Sequence, residues 1–275
     1  MNRSSRYFRL MLPFLVLTMV ACSCPFNLAD WFGGKEPSET EAWQSTVSEF
    51  KNLVMGQQIP EFLIDPELPQ EGEVFDPNRL LDPLTHLSMM PGYTLDFVYQ
   101  FDGMGGYPIL YVRKESDPSF KDLEDYELNA GYCDMENQPT GCNYLSFIET
   151  DGTDQGYFEF VMLMMMGDQF YLFWHSGYHD TQIIASSERL ETLVESIGDN
   201  DFGYPLTAAQ KRQALRIDPA PQVTYRSGEV KVRVVWFTKW GGFNETIFSL
   251  NIESPHHILD SQTNNLVEYD CGIMF

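Results

Sequence analysis

Tyr93-Thr94-Leu95-Asp96-Phe97-Val98-Tyr99-Gln100-Phe101 places Tyr93, Leu95, Phe97, Tyr99 and Phe101 on one side of an extended chain. Large apolar side chains recurring with a period of two mark a half-buried strand. Asp102-Gly103-Met104-Gly105-Gly106 then permits reversal, and Tyr107 to Arg113 supplies a partner, so residues 93–113 predict a β-hairpin. The three glycines do not make a phosphate loop: their spacing is G-x-G-G, without a Lys or a following helix. A lone hairpin is marginal in water, and its apolar face needs a cover from elsewhere in the chain.

Helical periodicity supplies candidates on both sides. Upstream, Ser38 and Glu41 form a capping box before Trp43, Val47, Phe50 and Val54, predicting an amphipathic helix over 39–55 that ends at Gly56. Pro60, Pro66, Pro69 and Pro77, with seven acids between Glu61 and Asp82, predict an irregular connection, with helical turns regained between Asn78 and Met89. Downstream, Asp117–Leu128 reads as a short acidic helix or loop. Ser186 or Ser187 caps a helix presenting Leu190, Leu193, Val194 and Ile197, closed by Gly198.

Between these helices lie three further strand candidates, 143–149, 156–166 and 169–175, joined by Asp151-Gly152 and Gly167-Asp168 as hairpin turns. Asp151-Gly152-Thr153-Asp154 lacks the alternating acids of a calcium loop. Met162, Met164, Met165 and Met166 read as core filler, with an apolar peptide groove as the alternative. After Pro205, Thr207 and Gln210 cap a short helix, and strands are expected at 222–225, 229–240, 245–252 and 266–274. Val230, Val232 and Val234 alternate with Lys231 and Arg233, which join Arg226 and Lys239 in a basic outer face. The expected architecture is α+β, an antiparallel sheet covered by amphipathic helices with a β-rich C-terminal segment. Its divisions are a signal peptide at 1–21, a tether at 22–40, an acidic α+β domain at 41–204 and the β-rich segment at 205–275.

Charge narrows the partners. The 275-residue chain carries 40 Asp and Glu against 17 Lys and Arg, a formal −23, which argues against nucleic acid because phosphate binding needs a basic face. Its 43% apolar and 14% aromatic content excludes a disordered chain. From Cys22 to Tyr204 there are 33 acids and 7 bases, while residues 205–275 hold 7 of each. Lys231, Arg233 and Lys239 are therefore expected to dock the C-terminal segment on the acidic region, with headgroup binding as the alternative role.

Arg3, Arg6 and Arg9 precede an apolar run from Leu10 to Ala21 that contains no acid. Twelve residues reach about 18 Å as a helix, short of a hydrocarbon core of about 30 Å, so the run predicts a signal peptide rather than a span. It closes on Thr18-Met19-Val20-Ala21-Cys22, which resembles the lipobox of bacterial lipoproteins: Val20 and Ala21 fit, and Met19 stands where Leu is usual. The resemblance covers the leader alone and implies a diacylglyceryl group on the Cys22 sulfur. With Cys22 so committed, four cysteines remain. Cys133 and Cys142 flank a polar reversal containing Pro139 and Gly141 and are expected to form a disulfide, while Cys24 and Cys271 pair with each other or stay free.

Catalytic motifs are sparse. His175 and His179 stand four apart, with His256 and His257 far along the chain as possible third ligands of a zinc ion. Gly177 and the preceding β-like run put the first two at a strand end, where i, i+4 alignment is not given. The expectation is a lipid-anchored extracytoplasmic protein, a non-enzymatic binding or structural module of the cell envelope, held to the membrane through Cys22, with no metal and no cofactor. The alternative is a metal-dependent hydrolase using His175, His179 and either His256 or His257.

Overall fold

Trp43, Val47, Phe50 and Val54 lie on the buried side of helix α1 (Glu39–Met55), as their spacing requires, and the Trp43 ring stacks on Phe158 at 5.0 Å. The computed structural model describes residues 39–65, 67–129, 143–198 and 203–272. Cys22, Cys24, Cys133 and Cys142, the signal peptide and nearly all of the tether lie outside them.

The ring that α1 meets belongs to the element the sequence pattern misreads. Residues 156–166 are not a strand but part of helix α3 (Asp154–Met166), and Asp151-Gly152 is not a hairpin turn but its approach. Thr153 caps the helix, its Oγ1 accepting from the Gly156 amide at 3.1 Å. Every residue from Gly156 to Leu163 is buried, as is Met166. An apolar run without a polar face has no period to distinguish helix from strand, and a helix of this kind belongs in the middle of a core. Met162 and Met166 are fully buried, which rules out an open methionine groove.

Together with the helices, three antiparallel sheets among the described residues make an α+β fold. β1 (Leu87–Met89) pairs with β4 (Ile148–Thr150). β2 (Tyr93–Phe101) and β3 (Gly105–Lys114) form the expected hairpin in unbroken register from Tyr93 opposite Lys114 to Phe101 opposite Gly106. β5 (Phe173–Trp174) continues that sheet at Gly105 and Gly106. Of the strand expected at 143–149, only the end joins β4; Tyr144–Phe147 is a 3-10 turn. The helical turns expected over 78–89 reduce to a 3-10 turn at Pro77–Leu81, and the short acidic helix is α2 (Leu123–Asn129).

In the largest sheet, β8 (Glu229–Thr238) pairs along one edge with β9 (Gly242–Asn251), which pairs with β10 (Ile258–Val267). Its other edge is shared by β7 (Gln222–Arg226) and β6 (Gln182–Ile184). The last strand thus comes earlier than 266–274; its Asp-Ser-Gln-Thr-Asn-Asn stretch is exposed, so pairing with β9 rather than apolar alternation defines it. Val230, Val232 and Val234 face the core of α1 and α3, whereas Val235 and Phe237 face α4 (Ser187–Ser196) and α5 (Ala208–Ala214). α4 and α5 carry the expected caps, Ser186 and the Thr207–Gln210 box.

The C-terminal strands join the rest of the chain through this apolar face and through the β6–β8 ladder. Arg233 does not reach the acidic region: it pairs with Glu245 on the neighbouring strand and donates to the Asp218 and Ala220 carbonyls. Lys239 meets that region through its main chain, its amide donating to Asp180 at 3.1 Å. Rim charge pairs contribute little beside apolar burial of this extent.

Enclosure of α3 predicts where stability resides. Phe160→Ala, at a site fully shielded from solvent, is expected to lower unfolding free energy in urea by about 3–5 kcal/mol. Met164→Leu, at a half-buried position of the same helix, is expected to change it by less than about 1.5 kcal/mol.

Candidate functional site

A cavity of about 820 Å³ runs along one edge of β2. Asp96 and Val98 point to one face of that strand and Phe97 and Tyr99 to the other, yet all four line the same hollow. Only a space at the strand's edge can meet both faces. One wall is formed by Phe62, Leu63, Leu68 and Val74, with Leu63 in the same apolar cluster as Phe97. The opposite wall is Phe120-Lys121-Asp122, on the Val98 side.

Two buried tyrosines hold these walls. Tyr171 Oη accepts the Phe75 amide at 2.8 Å, fixing the end of the first wall, while its carbonyl accepts from Tyr99 Oη at 2.7 Å, tying that wall to β2. Tyr171 does this with φ of 55°, a backbone conformation uncommon outside glycine. Phe75 and Phe97 both pack on Phe170, at 4.8 and 5.1 Å. Across the strand, Tyr111 of β3 accepts the Phe120 amide at 3.1 Å and packs on the Phe120 ring. Burial pushes the Tyr111 hydroxyl up to about 12; the Phe120 amide opposes this and the Asp96 charge adds to it. Both tyrosines therefore stay neutral and keep their hydroxyls through the physiological range.

The edge itself is partly occupied. Asn78 binds Leu95 like a strand fragment, its Oδ1 accepting the Leu95 amide at 2.9 Å and its Nδ2 donating to the Leu95 carbonyl at 3.1 Å. Asp96 Oδ1 accepts the Phe97 amide at 2.9 Å, while Oδ2 holds Arg113 and Ser119. Beyond this point, the Phe97 carbonyl and the Tyr99 amide and carbonyl have no hydrogen-bond partner among the described residues. Leu68 and Val74 leave 39% and 42% of their surface in water above the hollow.

A second cluster gathers where sequence reading placed nothing. His86 Nδ1 lies 2.7 Å from Asp151 Oδ2, and Thr153 Oγ1 donates to Asp151 Oδ1 at 2.6 Å. Burial acts to raise the Asp151 carboxyl, but the bonds from Thr153 and His86 outweigh it and hold the group below its ordinary value. The His86 amide donates to Glu159 Oε2 at 2.9 Å, and Gln155 satisfies Oε1 at the same distance. Glu159, 1% exposed, is raised above the ordinary carboxylate range by desolvation. The cluster borders a hollow of about 350 Å³ that also reaches Ser88, Glu149, Ser254 and His256. It fastens β1 to the start of α3; no hydrogen bond joins His86 to either serine among the described residues.

The four histidines singled out from sequence are held by separate partners. His175 Nδ1 bonds Tyr178 Oη at 2.6 Å, its ring against Trp174. Its 3-10 turn, His175–Tyr178, gives way at His179, whose amide donates to the Ser176 carbonyl at 3.1 Å. His256 is buried against Tyr157 and Phe160, and His257 Nδ1 lies 3.4 Å from Ser146 Oγ. Among the described residues no three His, Cys, Asp or Glu side chains are placed to share a metal ion, so the histidine-based zinc site does not assemble. Cys271 is buried and forms no disulfide among the described residues. No helix of the described residues is long and apolar enough to cross a membrane.

Two outcomes follow from this geometry. Tyr171→Phe leaves the buried Phe75 amide without an acceptor and is expected to cost about 1–3 kcal/mol in urea unfolding, with faster amide exchange in segment 62–75. Glu159 binds its proton more tightly folded than unfolded, so its contribution to stability falls as pH climbs from the unfolded value near 4.5 towards the raised native one. Glu159→Gln removes this dependence, and its stability relative to wild type should improve across that interval in pH-resolved denaturation.

No protein-family model, curated protein or solved structure matches the chain, and the groove and the histidine cluster must be interpreted from their own chemistry.

Proposed function

We propose that the chain is a lipid-anchored extracytoplasmic binding module whose binding surface is the groove along β2. Anchoring is supported by the lipobox-like Thr18–Cys22 behind Arg3, Arg6 and Arg9. A formal charge of −23 repels anionic headgroups, so an acyl chain supplies attachment that the protein surface does not. The observation that carries the binding role is the pair of exposed side chains Leu68 and Val74, held over a hollow whose walls two buried tyrosines fix in advance. Apolar side chains kept in water beside a preformed hollow are characteristic of a binding surface. The separate placement of His175, His179, His256 and His257 favours this reading over the hydrolase.

Two measurements test the two halves. Cells fed radiolabelled palmitate should label the wild type and not Cys22→Ala, which should move from the membrane to the soluble fraction; a variant that remains membrane-bound refutes the anchor. A photoreactive benzoylphenylalanine replacing Val74 should crosslink to an envelope component, whereas the same group replacing Met55, 56% exposed on α1, should not. Equal crosslinking at both positions refutes the groove.

A further inference from the structure

We propose that the groove takes up an extended, cationic polypeptide segment of another protein, which adds to the outer edge of β2 as a further strand. The inference rests on the groove being a binding surface and names what it binds.

The first argument is main-chain chemistry. In the β2–β3 register, the even-numbered residues of β2 face β3: Gly92, just before the strand, accepts the Glu115 amide at 3.0 Å, and the Asp102 amide, just after it, donates to the Gly105 carbonyl at 3.1 Å. The odd-numbered residues face away, and Asn78 already treats Leu95 as an edge position. Past Leu95, the Phe97 carbonyl and both main-chain groups of Tyr99 are the next rungs of the same ladder. Exposed edges of native sheets are commonly protected by Lys, Pro, a bulge or a covering element. Residues 97–101 contain no Lys or Pro, and their register is unbroken. What flanks this edge is a hollow rather than a cover.

The second argument is shape. An added strand lies about 4.8 Å from its neighbour and turns alternate side chains to opposite sides. The groove offers a wall on each side: Phe62, Leu63 and Val74 for one set, Phe120 for the other. The stretch from Phe97 to Phe101 is about 16 Å long at strand rise, enough for five residues. A helix, whose backbone groups are satisfied internally, would leave these rungs unmade.

The third argument is charge. Glu61, Asp65, Glu67, Glu71 and Glu73 are exposed along the first wall, and residues 61–74 contain no Lys or Arg. On the second wall Lys121 is followed by Asp122, Glu124 and Asp125. A segment alternating apolar and basic residues satisfies both the walls and this rim. A second copy of the chain, itself at −23, would be repelled.

The test uses the purified full chain and a capped eight-residue peptide of alternating lysine and valine. Titration calorimetry should detect binding that weakens with salt. The corresponding glutamate–valine peptide should not bind. N-methylation of the lysine–valine peptide along one edge should weaken it roughly tenfold by removing the two donors to the Phe97 and Tyr99 carbonyls. Hydrogen exchange should slow at the Tyr99 amide on binding. Glu71→Lys with Glu73→Lys, both at exposed positions, should weaken the peptide at least tenfold without altering unfolding.

Equal binding of the methylated peptide, or protection elsewhere than residues 97–101, overturns strand addition. Equal binding of the glutamate peptide overturns the cationic partner, and concentration-dependent dimerisation blocked by the peptide assigns the edge to a second copy. If position 74 crosslinks to an envelope component while the lysine–valine peptide fails to bind, this inference falls and the binding reading stands. Failure of both removes both.

Discussion

Helix α3 has no side on which water is acceptable, and the rest of the fold is arranged around that constraint. A helix of thirteen residues of which nine are buried, eight of them in one unbroken run, must be enclosed from several directions at once. α1 lays Trp43 on it, β8 and β9 present Val230, Val232, Phe248 and Leu250, and the loop carrying Phe170 and Tyr171 closes another side. The one charged side chain in the middle of the helix, Glu159, is admitted because the His86 amide and Gln155 occupy both of its oxygens. The groove is a by-product of this enclosure. The turn after α3 throws Tyr171 into a left-handed conformation, and that residue then anchors both β2 and the segment leading to Phe75.

Where a single face of an element is buried, the sequence announced it. Trp43 to Val54 and Leu190 to Ile197 follow the helical period because each helix meets water on its other side, and Tyr93 to Phe101 keeps the strand period although Val98, on the opposite face from Leu95, is buried as well. α3 is illegible for the opposite reason: Tyr157 to Leu163 meets no water, so no alternation records its conformation. β10 fails from the other extreme, since Ser261 to Asn265 are polar throughout and only their pairing with β9 makes them a strand.

The sites were harder to read than the core. Segment 61–75 has neither period, and its shape comes from Tyr171, a hundred residues away in sequence, accepting one amide. The unpaired rungs of β2 depend on Asn78 ending where it does, which no pattern within 93–101 encodes. His86 and Asp151 meet because β1 pairs with β4, and neither strand exceeds three residues. The histidines at 175, 179, 256 and 257 are prominent in the sequence, yet in the fold they serve local hydrogen bonds or packing, His256 by lying between aromatic rings.

The strands that roof α3 follow it in the chain. Until residues 230–250 emerge, Tyr157 to Met166 has no complete shelter, and its native contacts span much of the length of the polypeptide. Chains whose contacts are this non-local collapse late and slowly. A nascent chain therefore stays open around α3 until those strands are made and displays a continuous apolar stretch on which chaperones can act. Loss of those strands is therefore more damaging than their modest size suggests.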